Sequence, residues 1–224
     1  MSLSGGAFTA VLWAGLAVAQ EHVFFPTQDG GRISADLYGT GARGLVLVHG
    51  GRFNKESWAK QAPVFVKAGF RVVAIDLRGI GQSTGPKQDD QYTAPLHYDV
   101  LGAVHYLRQH GAKSVSVVGG SMGGSAAADA SIVGPPGEID RVVLLGAEPN
   151  MSADKLKAPM LIIVARDDSN GAGPRLPDIR KQFDKAPEPK KLVVLEGSAH
   201  AQFLFETDQA DRVMREILQF LEAR

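Results

Sequence analysis

Ser121 is the residue of this chain best placed to do chemistry. It lies in Gly119-Gly120-Ser121-Met122-Gly123, between an apolar run, Ser114 to Val118, and a helix-length stretch of small residues, Met122 to Ile132. A serine on a sharp strand-to-helix turn is exposed on a strained backbone, which suits a nucleophile. Glycines two residues to either side let the strand and helix pass without colliding Cβ atoms. The N-terminus of the following helix offers free N–H groups to developing negative charge. The bare pattern is weakly specific, because Gly and Ser are common, and a Gly-rich structural turn is the bland alternative. The strand before it and the helix after it are what give it weight.

A second segment fits the same chemistry. Leu45-Val46-Leu47-Val48 is a short apolar run that leads into His49-Gly50-Gly51-Arg52. Acyl transfer builds charge on a carbonyl oxygen, and two N–H donors aimed at that oxygen stabilise it. One donor would be the N–H of Met122, the residue after the nucleophile. The other would be the N–H of Gly51 or of Arg52. His49 reads as a brace for this loop rather than as a reacting group. An ordinary strand-to-loop turn is the bland alternative for the segment.

These groups need a frame that brings loop ends together. Apolar β-rich runs alternate along the chain with helix-length segments, which predicts an α/β fold with a mostly parallel central sheet flanked by helices. His22–Pro26 and Arg32–Tyr38 flank Asp29-Gly30-Gly31 and read as a hairpin. Leu45–Val48, Phe70–Ile75, Ser114–Val118, Arg141–Leu145, Met160–Ala165 and Lys191–Leu195 read as strands. Glu56–Ala68, Tyr98–Gln109, Met122–Ile132 and Asp208–Glu222 read as helices. Ligands of such sheets bind outside the carboxyl ends of the strands, where Ser121 and His49-Gly50-Gly51 both fall.

Three segments together resemble the α/β-hydrolase superfamily: His49-Gly50 after one strand, Asp76-Leu77-Arg78-Gly79-Ile80-Gly81-Gln82-Ser83 after the next, and Gly119-Gly120-Ser121-Met122-Gly123-Gly124. The resemblance runs from about His22 to the C-terminus. Arg52-Phe53 with Trp58 further on resembles small lidless esterase-like members. In this fold a nucleophilic serine is followed along the chain by an acid and then a histidine. His200 is the only histidine after Ser121, so it is the implied base, in a setting similar to the family's histidine loop. The acid is implied after the strand Met160–Ala165. The resemblance implies an acid three residues past a small residue at the strand end, which points from Ala165 to Asp168; Asp167 is the alternative and suits a turn or cap, and Glu148 is a third candidate. Asp76 and Arg78 read as residues that hold their own loop.

The gap from Ala147 to Pro159, where larger members insert a lid, is too short for one, so no cap domain is expected. The site should then be open, shaped by short loops such as Thr84–Leu96 and Ser169–Pro177. Phe53, Trp58 and Phe203 are candidates for lining a substrate pocket, although aromatic residues are more often core. The expected activity is hydrolysis of carboxylic esters of small or exposed acyl groups through an acyl-enzyme on Ser121. A thioesterase, acyltransferase or perhydrolase would use the same residues, and a non-catalytic ligand-binding protein could share the fold.

Composition sets outer bounds. The chain has 224 residues, enough for one α/β domain; 44% are hydrophobic and 21% charged, as in globular proteins. Basic and acidic residues balance, 24 against 24, which removes the electrostatic case for nucleic acid as a partner. The expected partner is a small-molecule ester, with no cofactor and no metal; oligomeric state is not legible. With no cysteine, disulfides and thiolate chemistry are excluded. His97, His105 and His110 lie in or beside one helix, without carboxylates at metal-ligand spacing. Residues 1–20 read either as a signal peptide or as an N-terminal extension, with 21–224 as the hydrolase domain. Ala7 to Ala19 is uncharged and ends in the small-x-small pattern Ala17-Val18-Ala19, but Met1 to Gly6 carries no Lys or Arg. The first reading implies export, periplasmic or secreted; the second leaves a cytoplasmic protein.

Overall fold

A computed structural model describes residues 20–86 and 94–223; the signal-peptide-like run lies outside them, as does most of the loop before Leu96. The strands are β1 (Gln20–Pro26), β2 (Arg32–Tyr38), β3 (Arg43–Val48), β4 (Phe70–Ile75), β5 (Ser114–Gly120), β6 (Arg141–Leu145), β7 (Met160–Ala165), the short pair β8 (Ser169–Asn170) and β9 (Gly173–Pro174), and β10 (Lys190–Leu195). Eight of them form one sheet in the order β1-β2-β4-β3-β5-β6-β7-β10. β1 and β2 pair antiparallel, as do β2 and β4; every other pairing in the sheet is parallel.

The alternation of side chains along β3 shows how the sheet is covered. Val46 and Val48 pack on one face with Val100 and Val104 of α2 (His97–Gln109), Ala126 and Ala127 of α3 (Met122–Val133) and Ile179 of α4 (Leu176–Lys185). Leu45 and Leu47 pack on the other with Phe65 of α1 (Ala62–Lys67) and Val213, Ile217 and Leu221 of α5 (Ala210–Glu222). Strands buried on both faces carry continuous apolar runs, which is why the central strands were readable without alternation. No inserted domain occurs among the described residues; between β6 and β7 there is only a short 3-10 turn, Ala153–Lys155.

The α-helices differ from expectation in two places. The helix expected over Glu56–Ala68 is split into a 3-10 turn, Lys55–Trp58, and α1. Pro63, without an N–H, sits in the first turn of α1 and starts a new helix. The 3-10 turn is tied down separately, because Asp76 accepts hydrogen bonds from both the backbone N–H of Lys55 and its Nζ. The second difference is α4, which follows the Gly- and Pro-rich stretch after β7. It too begins at a proline, Pro177, and buries Leu176 and Ile179.

The paired register brings the strand ends level. Val48 lies opposite Ile75 and Gly119, Gly120 opposite Leu145, and Ala165 opposite Leu195. Every loop that leaves these ends therefore opens on the same rim.

Candidate active site

The turn from β5 into α3 takes place at Ser121, whose backbone adopts φ 51° and ψ −122°. Ser121 and Ala201 are the only non-glycine residues with positive φ among the described residues, and they meet at the same rim. Such conformations persist only where the surroundings enforce them. Here the enforcement is close backbone packing. A Cβ on Gly119 would lie 2.3 Å from the carbonyl oxygen of Gly123, and a Cβ on Gly123 would lie 2.4 Å from that of His49. The Ser121 N–H donates to the Leu145 carbonyl at 2.9 Å, which fixes the turn to β6.

His200, on the loop after β10, reaches back to this serine. Its Nε2 lies 2.8 Å from Ser121 Oγ and its Nδ1 lies 2.7 Å from Asp168 Oδ2. The chemistry of the partners sets the donors: Nδ1–H donates to the carboxylate, and Nε2 accepts from the hydroxyl. Asp168 is fully buried. Asp167 is exposed, and its N–H donates to the Gly197 carbonyl, as suits a turn residue. Glu148 lines a cavity beside Ser121, and burial pushes its carboxyl above the usual carboxylate range, but it makes no hydrogen bond to His200. Of the three carboxylates, Asp168 is the one brought to the histidine.

The strand β3 and its loop supply the facing wall. His49 is fully buried; its Nδ1–H donates to the Gly50 carbonyl at 2.8 Å and its Nε2 accepts the Leu77 N–H at 3.1 Å. Burial holds its pKa below the usual histidine value, so it is a neutral brace. Phe53 N–H closes a turn on the Gly50 carbonyl at 3.0 Å. Gly51, Arg52 and Met122 border the same cavity as Ser121. None of their three N–H groups donates to another group among the described residues, so all three remain open to a ligand oxygen. The next loop is locked in place: Arg78 bonds both Asp99 and Asp29, and Ser83 Oγ donates to the Asp76 carbonyl.

Two cavities meet at Ser121 and Met122. One, of about 440 Å³, is bordered by Phe53 and Phe203, whose ring centroids are 5.1 Å apart. The other, of about 300 Å³, is more polar and is bordered by His97, Asp129, Glu148 and Asn150. Trp58, expected at the pocket, borders neither. It is fully buried in the layer under α5 and packs edge-on against Phe205 at 6.0 Å. The 3-10 turn anchored on Asp76 carries it into the core, so the pocket assignment of Trp58 is corrected.

Several residues at the site gave no signal in the sequence reading. Gly146, after β6, has φ +60°, and a Cβ there would lie 2.9 Å from both Asp168 Oδ2 and His200 Nδ1. Gln202 is buried against Gly120 and donates through Nε2 to Ser57 Oγ at 3.2 Å. Arg175 borders both cavities, and its Nε lies 3.4 Å from Asp168 Oδ1. Arg175 lies in the loop Ser169–Pro177 expected to shape the site, although nothing singles it out there; the contacts of Gly146 and Gln202 are made by folding alone. Among the described residues no group of three or more His, Asp or Glu side chains is spaced to hold a metal ion.

A model of the α/β hydrolase fold family matches residues 45–212, and the chain belongs to that family. Among curated proteins, it is 29% identical over 147 residues to bifunctional epoxide hydrolase 2 of Sus scrofa, a match over 66% of this chain and 26% of the relative. It is 31% identical over 123 residues to protein phosphatase methylesterase 1 of Mus musculus, over 54% of this chain and 32% of the relative. The chain therefore matches only about a quarter to a third of the length of these relatives. Among solved structures, an esterase from Pyrococcus furiosus superposes with a TM-score of 0.75 over 96% of both chains at 16% identity, a likeness of fold.

Proposed function

We propose that this protein is a serine hydrolase that cleaves carboxylic esters of small or exposed acyl groups. The observation that carries this reading is the continuous line from Ser121 Oγ through His200 to buried Asp168, with steps of 2.8 and 2.7 Å. A serine hydroxyl is a weak nucleophile near neutral pH and needs such a base, and the base needs a carboxylate to fix its tautomer. In the reaction Ser121 Oγ attacks the ester carbonyl while His200 Nε2 takes its proton. The N–H of Met122 and that of Gly51 or Arg52 hold the oxygen that becomes negative. His200 then hands the proton to the leaving alcohol. Water enters, gives a proton to His200 and attacks the acyl carbonyl; the acid leaves and Ser121 recovers its proton.

The same chemistry favours an ester over an epoxide, the substrate named for one relative. Serine attack on an epoxide carbon would leave an alkyl ether that water does not cleave, whereas an acyl-serine ester turns over. The absence of a cap among the described residues supports small or exposed acyl groups.

The test is labelling with a fluorophosphonate probe, followed by an acyl-length series of p-nitrophenyl esters. Wild-type protein is expected to label and to prefer C2–C4 over C10 chains. Ser121→Ala is expected to abolish labelling and to lower kcat by about 10⁵-fold or more. Labelling of Ser121→Ala equal to wild type would overturn the serine assignment, and a C10 preference would overturn the open-site argument.

A further inference from the structure

The larger cavity beside Ser121 has an uneven charge. Its border includes Arg52, Phe53, Arg175, His200 and Phe203, and no carboxylate. Arg52 is exposed and makes no ion pair or side-chain hydrogen bond among the described residues. Arg175 leans on the candidate acid, but only from one end: its Nε faces Asp168 Oδ1 at 3.4 Å, outside good hydrogen-bond geometry. Its backbone N–H is anchored to the Asp168 carbonyl at 2.9 Å, which holds the residue at the cavity. Its two terminal nitrogens donate to no described residue. Among the described residues Arg175 has Asp168 beside it and also acts on Glu148, which borders the second cavity with it, whereas Arg52 has no charged partner, so the excess positive charge of this cavity lies on Arg52. The acidic groups Glu148 and Asp129 border only the second cavity, and Asp129 is already engaged by Asn150 Nδ2 and the Met151 N–H. A guanidinium fork beside an aromatic wall matches a planar carboxylate on a short carbon chain.

We infer that the substrate is an ester bearing a free carboxylate, which Arg52 and Arg175 receive in the cavity lined by Phe53 and Phe203. This rests on the serine-hydrolase reading of the same site. The carboxylate could sit on the acyl part or on the alcohol part of the ester, since this cavity borders both the open N–H groups and His200. In either place it would be drawn in by charge and held while the carbonyl reaches Ser121.

The experiment compares each anionic ester with its own neutral methyl ester. Monophenyl glutarate against methyl phenyl glutarate places the charge on the acyl side; 4-acetoxyphenylacetate against its methyl ester places it on the alcohol side. For at least one pair, wild-type kcat/KM is expected to be roughly tenfold or more in favour of the anion at low salt, the size of one charge-assisted hydrogen bond. The ratio should shrink as salt rises. In Arg52→Gln and in Arg175→Gln the ratio is expected to fall toward one. Using the ratio within each variant cancels any general loss of activity. Hydrolysis of neutral esters with no anion preference in either pair overturns the carboxylate assignment and leaves the hydrolase reading standing. If wild type hydrolyses none of the four and takes no fluorophosphonate label, the hydrolase reading fails, and calorimetry with glutarate then decides the site itself. Millimolar or tighter binding that is lost in Arg52→Gln supports it; no binding to wild type overturns it.

Discussion

On one side of Ser121 the backbones of β3, β5 and α3 approach so closely that an added Cβ on Gly119 or Gly123 would lie within 2.4 Å of a carbonyl oxygen. On the other side, Ser169, Asn170 and Gly171 are exposed, a Cβ on Gly171 would meet nothing within 4 Å, and Phe203 is 40% exposed. The first wall holds the candidate reacting groups by contacts that leave no room. The second is made of loops and side chains facing the cavity. Contacts of the first kind couple activity to stability, because what aims Ser121 also closes the core. The second kind can change without unfolding the chain, which is where substrate preference is free to vary.

The sharpest way to break this contrast is at the acid, where the two kinds of surroundings lie one residue apart. Asp168 is buried on His200 and Asp167 is exposed beside it. Asp168→Asn is expected to lower kcat by about 10⁴-fold, because an amide can favour the wrong histidine tautomer. Asp167→Asn is expected to leave kcat within a few-fold of wild type. Steady-state hydrolysis of p-nitrophenyl butyrate, with circular dichroism to check the fold, measures both. Equal losses in the two variants would overturn the choice of Asp168.

The glycines give the next largest effect, read in stability. Gly123 lies inside α3, where alanine would ordinarily be favoured by about 1 kcal/mol. The clash with the His49 carbonyl should win, so Gly123→Ala is expected to lose about 3 kcal/mol. Gly51→Ala should stay within about 0.5 kcal/mol, the range of surface changes, because its Cβ would sit 3.8 Å from Met122 Cε. Urea unfolding of the pair checks this, and a stable Gly123→Ala would show that the wall is less tight than its distances imply.

The same contrast explains what could be read before folding. Gly119, Gly123, Gly50 and the apolar run of β3 were legible because tight backbone packing restricts residue type locally. The sheet was legible because its strands are apolar on both faces. Asp168 could be favoured by counting from Ala165, but its separation from Asp167 is a matter of burial, which no local pattern encodes. Gln202 went unseen because its contact with Ser57 joins distant loops, and Arg175 because nothing within the expected loop Ser169–Pro177 marks which side chain turns toward Asp168. Trp58 was misjudged because an aromatic residue does not announce which side of a loop it will face; the bonds from Lys55 to Asp76 decide that. α4 and the break at Pro63 were missed because proline reads as an interruption, although it is also a helix start.

The smallest effect separates two histidines, one in each kind of surroundings. Burial depresses the pKa of both His49, in the tight wall, and His97, at the border of the polar cavity. Below the ordinary value of 6.5 the unfolded chain takes up a proton that the folded His49 refuses. The unfolded state then holds more protons, so stability rises with pH through this window and levels off above it. The slope from one such group is at most about 1.4 kcal/mol per pH unit. His49 has the stronger reason to stay neutral, because its Nε2 accepts the Leu77 N–H and a protonated ring would set two donors face to face. His97 has no such acceptor role among the described residues and is only half-buried. Urea midpoints from pH 5 to 8 are therefore expected to flatten more in His49→Gln than in His97→Gln. A larger flattening in His97→Gln would place the proton-sensitive contact at the cavity border rather than in the packed wall.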